Sequence, residues 1–178
     1  MSRTLAVICL CVAMVLSGSQ VRAKAPQSRC ARIGQKWVDF WNGFDVATAF
    51  DVFTEDIVYN DIAADPTKPL AEGRDQFLAF AQQGFFDACP ISNFELGQSA
   101  CQGQQGFFEW TWSAVDEPGF FGTGKSFTVR GVAVIEIQGN RISRNSDFWD
   151  FATVLTQLGK LYHSAGSCYG AGQRPWKG

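Results

Sequence analysis

The sequence predicts an α+β fold, a cone in which a curved antiparallel sheet wraps around helices from the N-terminal half of the chain. Two observations predict it. Apolar residues recur at helical spacing in the first half, whereas strand-like runs with apolar residues of one parity dominate the second half. Because helices and strands are segregated along the chain, the helices should pack on one face of the sheet. The cavity between sheet and helices would be a natural small-molecule site.

Three helices are predicted before the long strands. The first covers residues 28–43, with Ser28 as its N-cap. A second, short helix covers residues 45–54 and begins at the N-cap Asp45. The third covers residues 74–88, where apolar side chains again recur at helical spacing.

Strands are predicted around and after the third helix. A short strand at residues 57–61 is followed by a loop at residues 63–73, which is rich in Pro, Ala and Asp. Longer strands cover residues 93–100 and 107–115, and a Gly-rich connection at residues 116–125 follows them.

A hairpin completes the predicted sheet. Residues 127–137 are rich in β-branched side chains, and Gly139-Asn140 is typical of a tight hairpin turn. Asp150 then caps a last short helix at residues 151–159. The returning arm places polar and aromatic residues together on one face: Asn145, Asp147 and Trp149.

The N-terminus has the pattern of a secretory signal. Arg3 precedes an apolar run at residues 5–16, and small residues at 21–23 indicate cleavage, which leaves residues 24–178 as a single domain. We therefore expect a secreted or periplasmic protein. No other segment is apolar enough to span a membrane. The formal charge of −2 and the lack of a Lys/Arg cluster argue against nucleic-acid binding.

Four cysteines remain after the predicted cleavage: Cys30, Cys89, Cys101 and Cys168. An even number in an exported chain favours two disulfides. Three connectivities are open, and we expect Cys89 to pair with Cys101 and Cys30 with Cys168. The cysteines are dispersed and His163 is the only histidine, so no metal site is predicted.

Five segments carry a resemblance to a known family: FDVFTEDIVYND, GRDQFLAF, FFEWTWSA, TGKSFTVRGVAVIEIQGNRI and SDFWDFATVLTQLG. In this order they resemble the SnoaL-like polyketide cyclases, within the nuclear transport factor 2 and ketosteroid isomerase fold group, over about residues 35–159. The resemblance implies the cone fold and a small-molecule cavity. The fold hosts cyclases, isomerases, dehydratases, epoxide hydrolases and non-catalytic binders, so the reaction stays open.

The resemblance also implies site residues. Asp147 falls where SnoaL-like cyclases and limonene-epoxide hydrolases place an acid/base aspartate. Tyr59 and Asp61 fall where the hydrolases have an inward tyrosine and asparagine. Trp110 and Trp112 replace the Arg and Asp that the hydrolases use on the middle strand, which argues against epoxide hydrolysis by that mechanism.

Asp147 has two interpretations. Desolvation by neighbouring tryptophans would raise its pKa toward values useful for proton transfer. Alternatively, the carboxylate caps the last helix or pairs with Arg144 or Arg130.

The other polar candidates also have alternatives. Tyr59 could donate to a developing enolate or be a core-edge residue. Asp61 could be a second acid/base group or cap the loop before Ala63. Asn145 could orient Asp147 or a substrate carbonyl, or sit on the surface.

The aromatic candidates Phe108, Trp110, Trp112 and Trp149 suit a flat apolar ligand, although large rings at period two are also typical of plain core. The first hypothesis is an exported enzyme without a cofactor, acting on a small hydrophobic carbonyl or polyketide-like compound. The alternative is a binding protein for a hydrophobic ligand. A dimerisation module is a third reading, because the outer sheet face pairs two copies in this fold.

Overall fold

The computed structural model describes residues 28–117 and 121–161. In these residues the helices are α1 (Arg29–Gly43), α2 (Val46–Val52), α3 (Arg74–Phe80), which a π-helix (Ala81–Phe86) extends, and α4 (Phe151–Leu158). The strands are β1 (Phe53–Asp61), β2 (Ala71–Glu72), β3 (Ser92–Gln102), β4 (Gln105–Val115), β5 (Ser126–Gln138) and β6 (Arg141–Trp149). The predicted α+β class is confirmed.

The sheet is mixed and open. Its strand order is β2-β1-β6-β5-β4-β3, and β1 runs parallel to β6 while all other neighbours are antiparallel. The prediction of a wholly antiparallel sheet is therefore wrong at one pair of strands. The parallel pair joins an early strand to the last one, which places the two strands that carry the site residues side by side.

The predicted helix starts are confirmed by their caps. The Ser28 hydroxyl accepts a hydrogen bond from the N–H of Ala31 at 3.1 Å, and Asp45 caps α2 through the N–H of Ala47 at 2.9 Å. The third helix differs from the prediction because its α-helical pattern ends at Phe80 and a π-helical turn follows. Such turns are rare and frequently lie at functional sites.

The hairpin forms as predicted, with strands β5 and β6 joined at Gly139-Asn140. Side chains of β5 alternate strictly between buried and exposed over most of the strand, and Ile135 is 1% exposed. In β6, Asn145 and Asp147 point inward and Phe148 points outward. Period-two alternation thus sets the inner face, which packs against the helices.

The disulfide prediction is wrong in its pairing. Cys30 on α1 is bonded to Cys101 on β3, and Cys89 is a buried free thiol. The pairing depends on how α1 lies along β3, and spacing in the sequence does not reveal that packing. Cys168, the predicted signal at residues 1–23 and His163 lie outside the described residues. In the described part, no helix is long and apolar enough to cross a membrane.

Candidate active site

A cavity of about 270 Å³ lies between the inner face of the sheet and the helices. Fifteen residues of the described part of the chain line it, and ten of these are aromatic. Helical elements contribute Trp37, Trp41, Phe80, Gly84, Phe85 and Phe151, the loop after β1 contributes Ala63 and Ala64, and the strands contribute Tyr59, Asp61, Phe94, Trp110, Trp112, Asp147 and Trp149. The wall is therefore mostly apolar, with two carboxylates set into it.

Asp147 is buried in this wall, with 3% of its surface exposed. Its Oδ2 accepts hydrogen bonds from the Tyr59 hydroxyl at 2.9 Å and from Asn145 Nδ2 at 2.8 Å. Its Oδ1 accepts one from Trp110 Nε1 at 3.2 Å. Because a carboxylate oxygen can accept more than one hydrogen bond, and Oδ1 accepts only this one from the described residues, acceptor capacity is left on Oδ1. A ligand proton can be taken or given there.

The surroundings of Asp147 change its acidity. Burial, and after it the nearby Asp61 carboxylate, raises the pKa of Asp147 from 3.8 to about 7, while the three hydrogen bonds act in the opposite direction. Burial, together with the negative charge of Asp147, raises the pKa of Tyr59 well above 10.0, so its hydroxyl stays protonated. Near neutral pH, Asp147 is thus present in both protonation states, which suits general acid/base chemistry.

Asp61 combines the two roles that the sequence left open. Its Oδ1 accepts hydrogen bonds from the backbone N–H groups of Ala63 and Ala64 at 3.0 and 3.2 Å and from Trp149 Nε1 at 2.9 Å. The carboxylate therefore caps the turn after β1 and also lines the cavity. No donor within the described residues reaches Oδ2. Burial raises the pKa of Asp61, and the three hydrogen bonds oppose this rise.

The register of the parallel strands brings these groups together. Tyr59 of β1 pairs with Asn145 of β6, and Asp61 pairs with Asp147. Paired residues of neighbouring strands point to the same face, so both carboxylates face the cavity. Asp150 lies outside this arrangement, because it caps α4 through the N–H of Ala152 at 2.9 Å.

Comparison with protein families identifies the domain. Residues 35–145 match the model of the SnoaL-like domain, which is 111 of the 178 residues. The chain belongs to the SnoaL-like family. The match ends two residues before Asp147, short of the predicted extent of 35–159. Comparison with functionally curated proteins gives no significant match.

Solved structures share the fold of this SnoaL-like domain. A proposed polyketide cyclase from Acidithiobacillus ferrooxidans is 20% identical, with a TM-score of 0.66 over 77% of this chain and 99% of its own. IdmH, a proposed polyketide cyclase from Streptomyces antibioticus, is 19% identical, with a TM-score of 0.61 over 72% of this chain and 96% of its own. An NTF2-like protein of unknown function from Burkholderia pseudomallei is 13% identical, with a TM-score of 0.60 over 74% of this chain and 98% of its own. At these identities the similarity shows the fold alone.

Three of the predicted aromatic residues line the cavity of the SnoaL-like domain: Trp110, Trp112 and Trp149. Their indole N–H groups all donate hydrogen bonds to neighbouring side chains of the protein. Trp110 and Trp149 donate to the two carboxylates, and Trp112 donates to the Ser92 hydroxyl at 2.6 Å. The rings are therefore held in fixed orientations and present mainly their apolar surface to a ligand.

Two predicted contact residues lie behind the wall instead. Phe108 is fully buried and packs its ring 5.2 Å from that of Trp37. Asn145 is also fully buried and orients Asp147 rather than lining the cavity. The alternative ion pairs of Asp147 are contradicted, because Arg144 pairs with Glu136 and Arg130 with Glu109.

Several lining residues were not singled out in the sequence as ligand contacts. Trp37 and Trp41 are one helical turn apart on the buried face of α1, Phe80 directly precedes the π-helix, and Phe85 lies within it. Helical spacing predicted that these side chains are buried, but it did not distinguish core from cavity wall. No group of three His, Cys, Asp or Glu side chains in the described residues could hold a metal ion.

Proposed function

We propose that this SnoaL-like domain is an exported enzyme that uses general acid/base catalysis without a cofactor. The reaction would be of the cyclase, isomerase or dehydratase type, on a small hydrophobic carbonyl or polyketide-like compound. One observation carries the proposal: Asp147 is held by three donors at the wall of an apolar cavity, with acceptor capacity left on Oδ1. The predicted signal and the Cys30–Cys101 disulfide support export.

The chemical step is a proton transfer. Oδ1 of Asp147 takes a proton from a carbon next to the substrate carbonyl, so that the C–H bond breaks, an O–H bond forms and the electron pair moves to the carbonyl oxygen. The protonated Asp147 then returns the proton to carbon or to an oxygen. A pKa of about 7 suits both directions near neutral pH.

The neighbouring groups have different roles. The hydroxyl of Tyr59 is committed to Asp147, so we assign Tyr59, Asn145 and Trp110 as positioning residues. Asp61 Oδ2 accepts no hydrogen bond from the described residues, and Asp61 is the candidate for a second acid/base group. In this proposal Tyr59 acts through Asp147 and not by direct contact with an enolate.

The size of the cavity narrows the class of substrate. A volume of about 270 Å³ lies just below the range of about 300 to 1,000 Å³ that is usual for ligand pockets. We therefore infer a compact substrate with one or two rings rather than a long polyketide chain.

Exchange of carbon-bound hydrogen tests the proposal. The protein is incubated in D₂O with a panel of compact aryl ketones and β-diketones, and deuterium uptake next to the carbonyl is followed by NMR. We expect catalysed exchange that Asp147→Asn lowers by about 100-fold or more. Asp150→Asn is the matched control, because Asn also caps a helix and Asp150 lies outside the cavity. Full exchange in Asp147→Asn would contradict the assignment.

A second candidate is a binding protein in which no bond changes. The ten aromatic residues in the wall favour it, because such a surface binds an apolar ligand without chemistry. Native mass spectrometry separates the candidates. A co-purified, unchanged ligand together with no deuterium exchange would support binding.

The outer face of the sheet supports a homodimer. Phe107, Val134 and Phe148 on β4, β5 and β6 are 39%, 47% and 46% exposed. Phe107 and Val134 are paired across strands, so their side chains form a continuous apolar surface. Light scattering on the wild type and on Val134→Glu tests this: a dimer that the substitution dissociates is expected, and a wild-type monomer would contradict it.

A further inference from the structure

The polar groups of the cavity wall differ in what they can offer a ligand: hydrogen-bond acceptors are left, whereas the donors are used. Its identified donors are already used inside the wall: the Tyr59 hydroxyl and the Trp110 indole serve Asp147, and the Trp149 indole serves Asp61. The indole N–H groups of Trp37 and Trp41 have no partner, but they are buried with almost no accessible surface. Acceptor capacity remains on Asp61 Oδ2 and on Asp147 Oδ1, and both of these residues line the cavity.

The charged side chains among the described lining residues are both acidic. Asp61 and Asp147 line the cavity, and no Lys, Arg or His of residues 28–117 and 121–161 is among its lining residues. On the α4 side, Lys125 donates to the Leu158 carbonyl at 3.2 Å, and Lys160 lies over the Phe121 ring at 5.6 Å. No cation of the described chain therefore compensates the two carboxylates from inside the cavity.

Aromatic rings supply most of the remaining surface. Ring faces carry partial negative charge and attract a cation within about 6 Å of their centres. Trp112 and Trp149 meet edge to face with centroids 5.8 Å apart, and Trp37 stacks on Trp110 at 6.2 Å. Rings in several orientations around two carboxylates are the chemistry that recognises an ammonium group.

We propose that this cavity selects a ligand whose compact apolar body carries a cationic nitrogen, either a protonated or a quaternary amine, over a neutral ligand of the same shape. The inference rests on the proposed ligand cavity and does not depend on catalysis. A carbonyl compound that bears an amine would satisfy both proposals. Oδ2 of Asp61 is the expected partner of the cation, because Asp61 is less buried than Asp147.

Two isosteric probes test the inference. Benzyltrimethylammonium and its neutral carbon counterpart, neopentylbenzene, have nearly the same shape, and their binding is followed by tryptophan fluorescence at about pH 8. We expect the ammonium compound to bind at least about tenfold more tightly. Its affinity should fall as the pH is lowered through about 7, because protonation of Asp147 removes one of the two attracting charges, whereas binding of the neutral probe should stay constant.

Variants at the carboxylates complete the test. Asp61→Asn and Asp147→Asn are each expected to weaken binding of the ammonium compound about tenfold or more while leaving that of neopentylbenzene nearly unchanged, which also reports an intact cavity. Asp150→Asn should change neither. Equal affinity of the wild type for both probes would overturn the inference, even if deuterium exchange is catalysed. Failure of both probes to bind would overturn the ligand cavity itself.

Discussion

The Tyr59 hydroxyl donates a hydrogen bond to Asp147 at 2.9 Å, although the two residues are 88 positions apart in the chain. The bond lies inside the core, where both side chains are almost completely buried. A buried carboxylate is costly unless it is paired or hydrogen-bonded. Here three donors hold it, and its pKa rises to about 7 instead of falling. This combination makes Asp147 responsive to pH in the neutral range.

The pH dependence of catalysis is the first prediction. If Asp147 acts as the base, kcat/KM for proton abstraction should rise with pH and level off above about 7. Replacement of Asp61 by Asn should move this rise to lower pH, because the Asp61 carboxylate contributes to the raised pKa of Asp147. Deuterium exchange between about pH 5 and 9 measures both profiles. An unchanged profile in Asp61→Asn would show that the two carboxylates do not interact.

The pH dependence of stability is the second prediction. In the folded protein Asp147 keeps its proton up to about pH 7, whereas the unfolded chain releases it near 3.8. Between these values the folded state binds more protons, so the free energy of unfolding falls as pH rises and is level above 7. An asparagine side chain cannot ionise, so this fall is absent in Asp147→Asn. Relative to the wild type, the free energy of unfolding of the variant should therefore rise by roughly 2 to 4 kcal/mol between about pH 4 and 8. Urea unfolding across this range measures the difference, and parallel curves would contradict it.

The close packing of Trp110 leads to the third prediction. A Cβ atom added to Gly131 would lie 2.3 Å from Trp110 Cζ2. The ring cannot easily give way, because it stacks on Trp37 and donates to Asp147. Gly131→Ala should therefore cost about 1 to 3 kcal/mol of stability and weaken the Trp110–Asp147 hydrogen bond. Gly43→Ala is the control, because no atom lies within 4 Å of its added Cβ. Thermal unfolding that is equal in both variants would count against this packing.

The disulfide provides the fourth prediction. Cys30 and Cys101 are 71 positions apart, and a cross-link over such a loop is expected to stabilise the fold by about 4 kcal/mol. Replacement of both by Ser should lower the melting temperature accordingly. Peptide mapping without reduction should recover Cys30 linked to Cys101. The thiol of Cys89 should react with an alkylating agent only after unfolding, because it is fully buried and burial raises its pKa to about 11. Recovery of a Cys89–Cys101 peptide would contradict the structure.

Sequence reasoning succeeded where the signal is local. The caps Ser28, Asp45 and Asp150 each bond to a backbone N–H two or three residues ahead, so a short segment contains the whole interaction. The inward face of β6 followed from the alternation of side chains. The resemblance implied Tyr59, Asp61 and Asp147 as site residues, and all three line one cavity.

Contacts between residues that are far apart in the sequence could be identified only from the tertiary structure. The sequence by itself determined the α+β class, the helix starts, the hairpin and the inward direction of Asp147, because these follow from contacts within a few residues. Only the tertiary structure decided that β1 lies parallel to β6, that Cys30 meets Cys101, and that Trp37 and Trp41 of α1 line the same cavity as the carboxylates. The physical reason is that pairing and packing between distant segments depend on how the whole core fills its space, and no short pattern of residues records that.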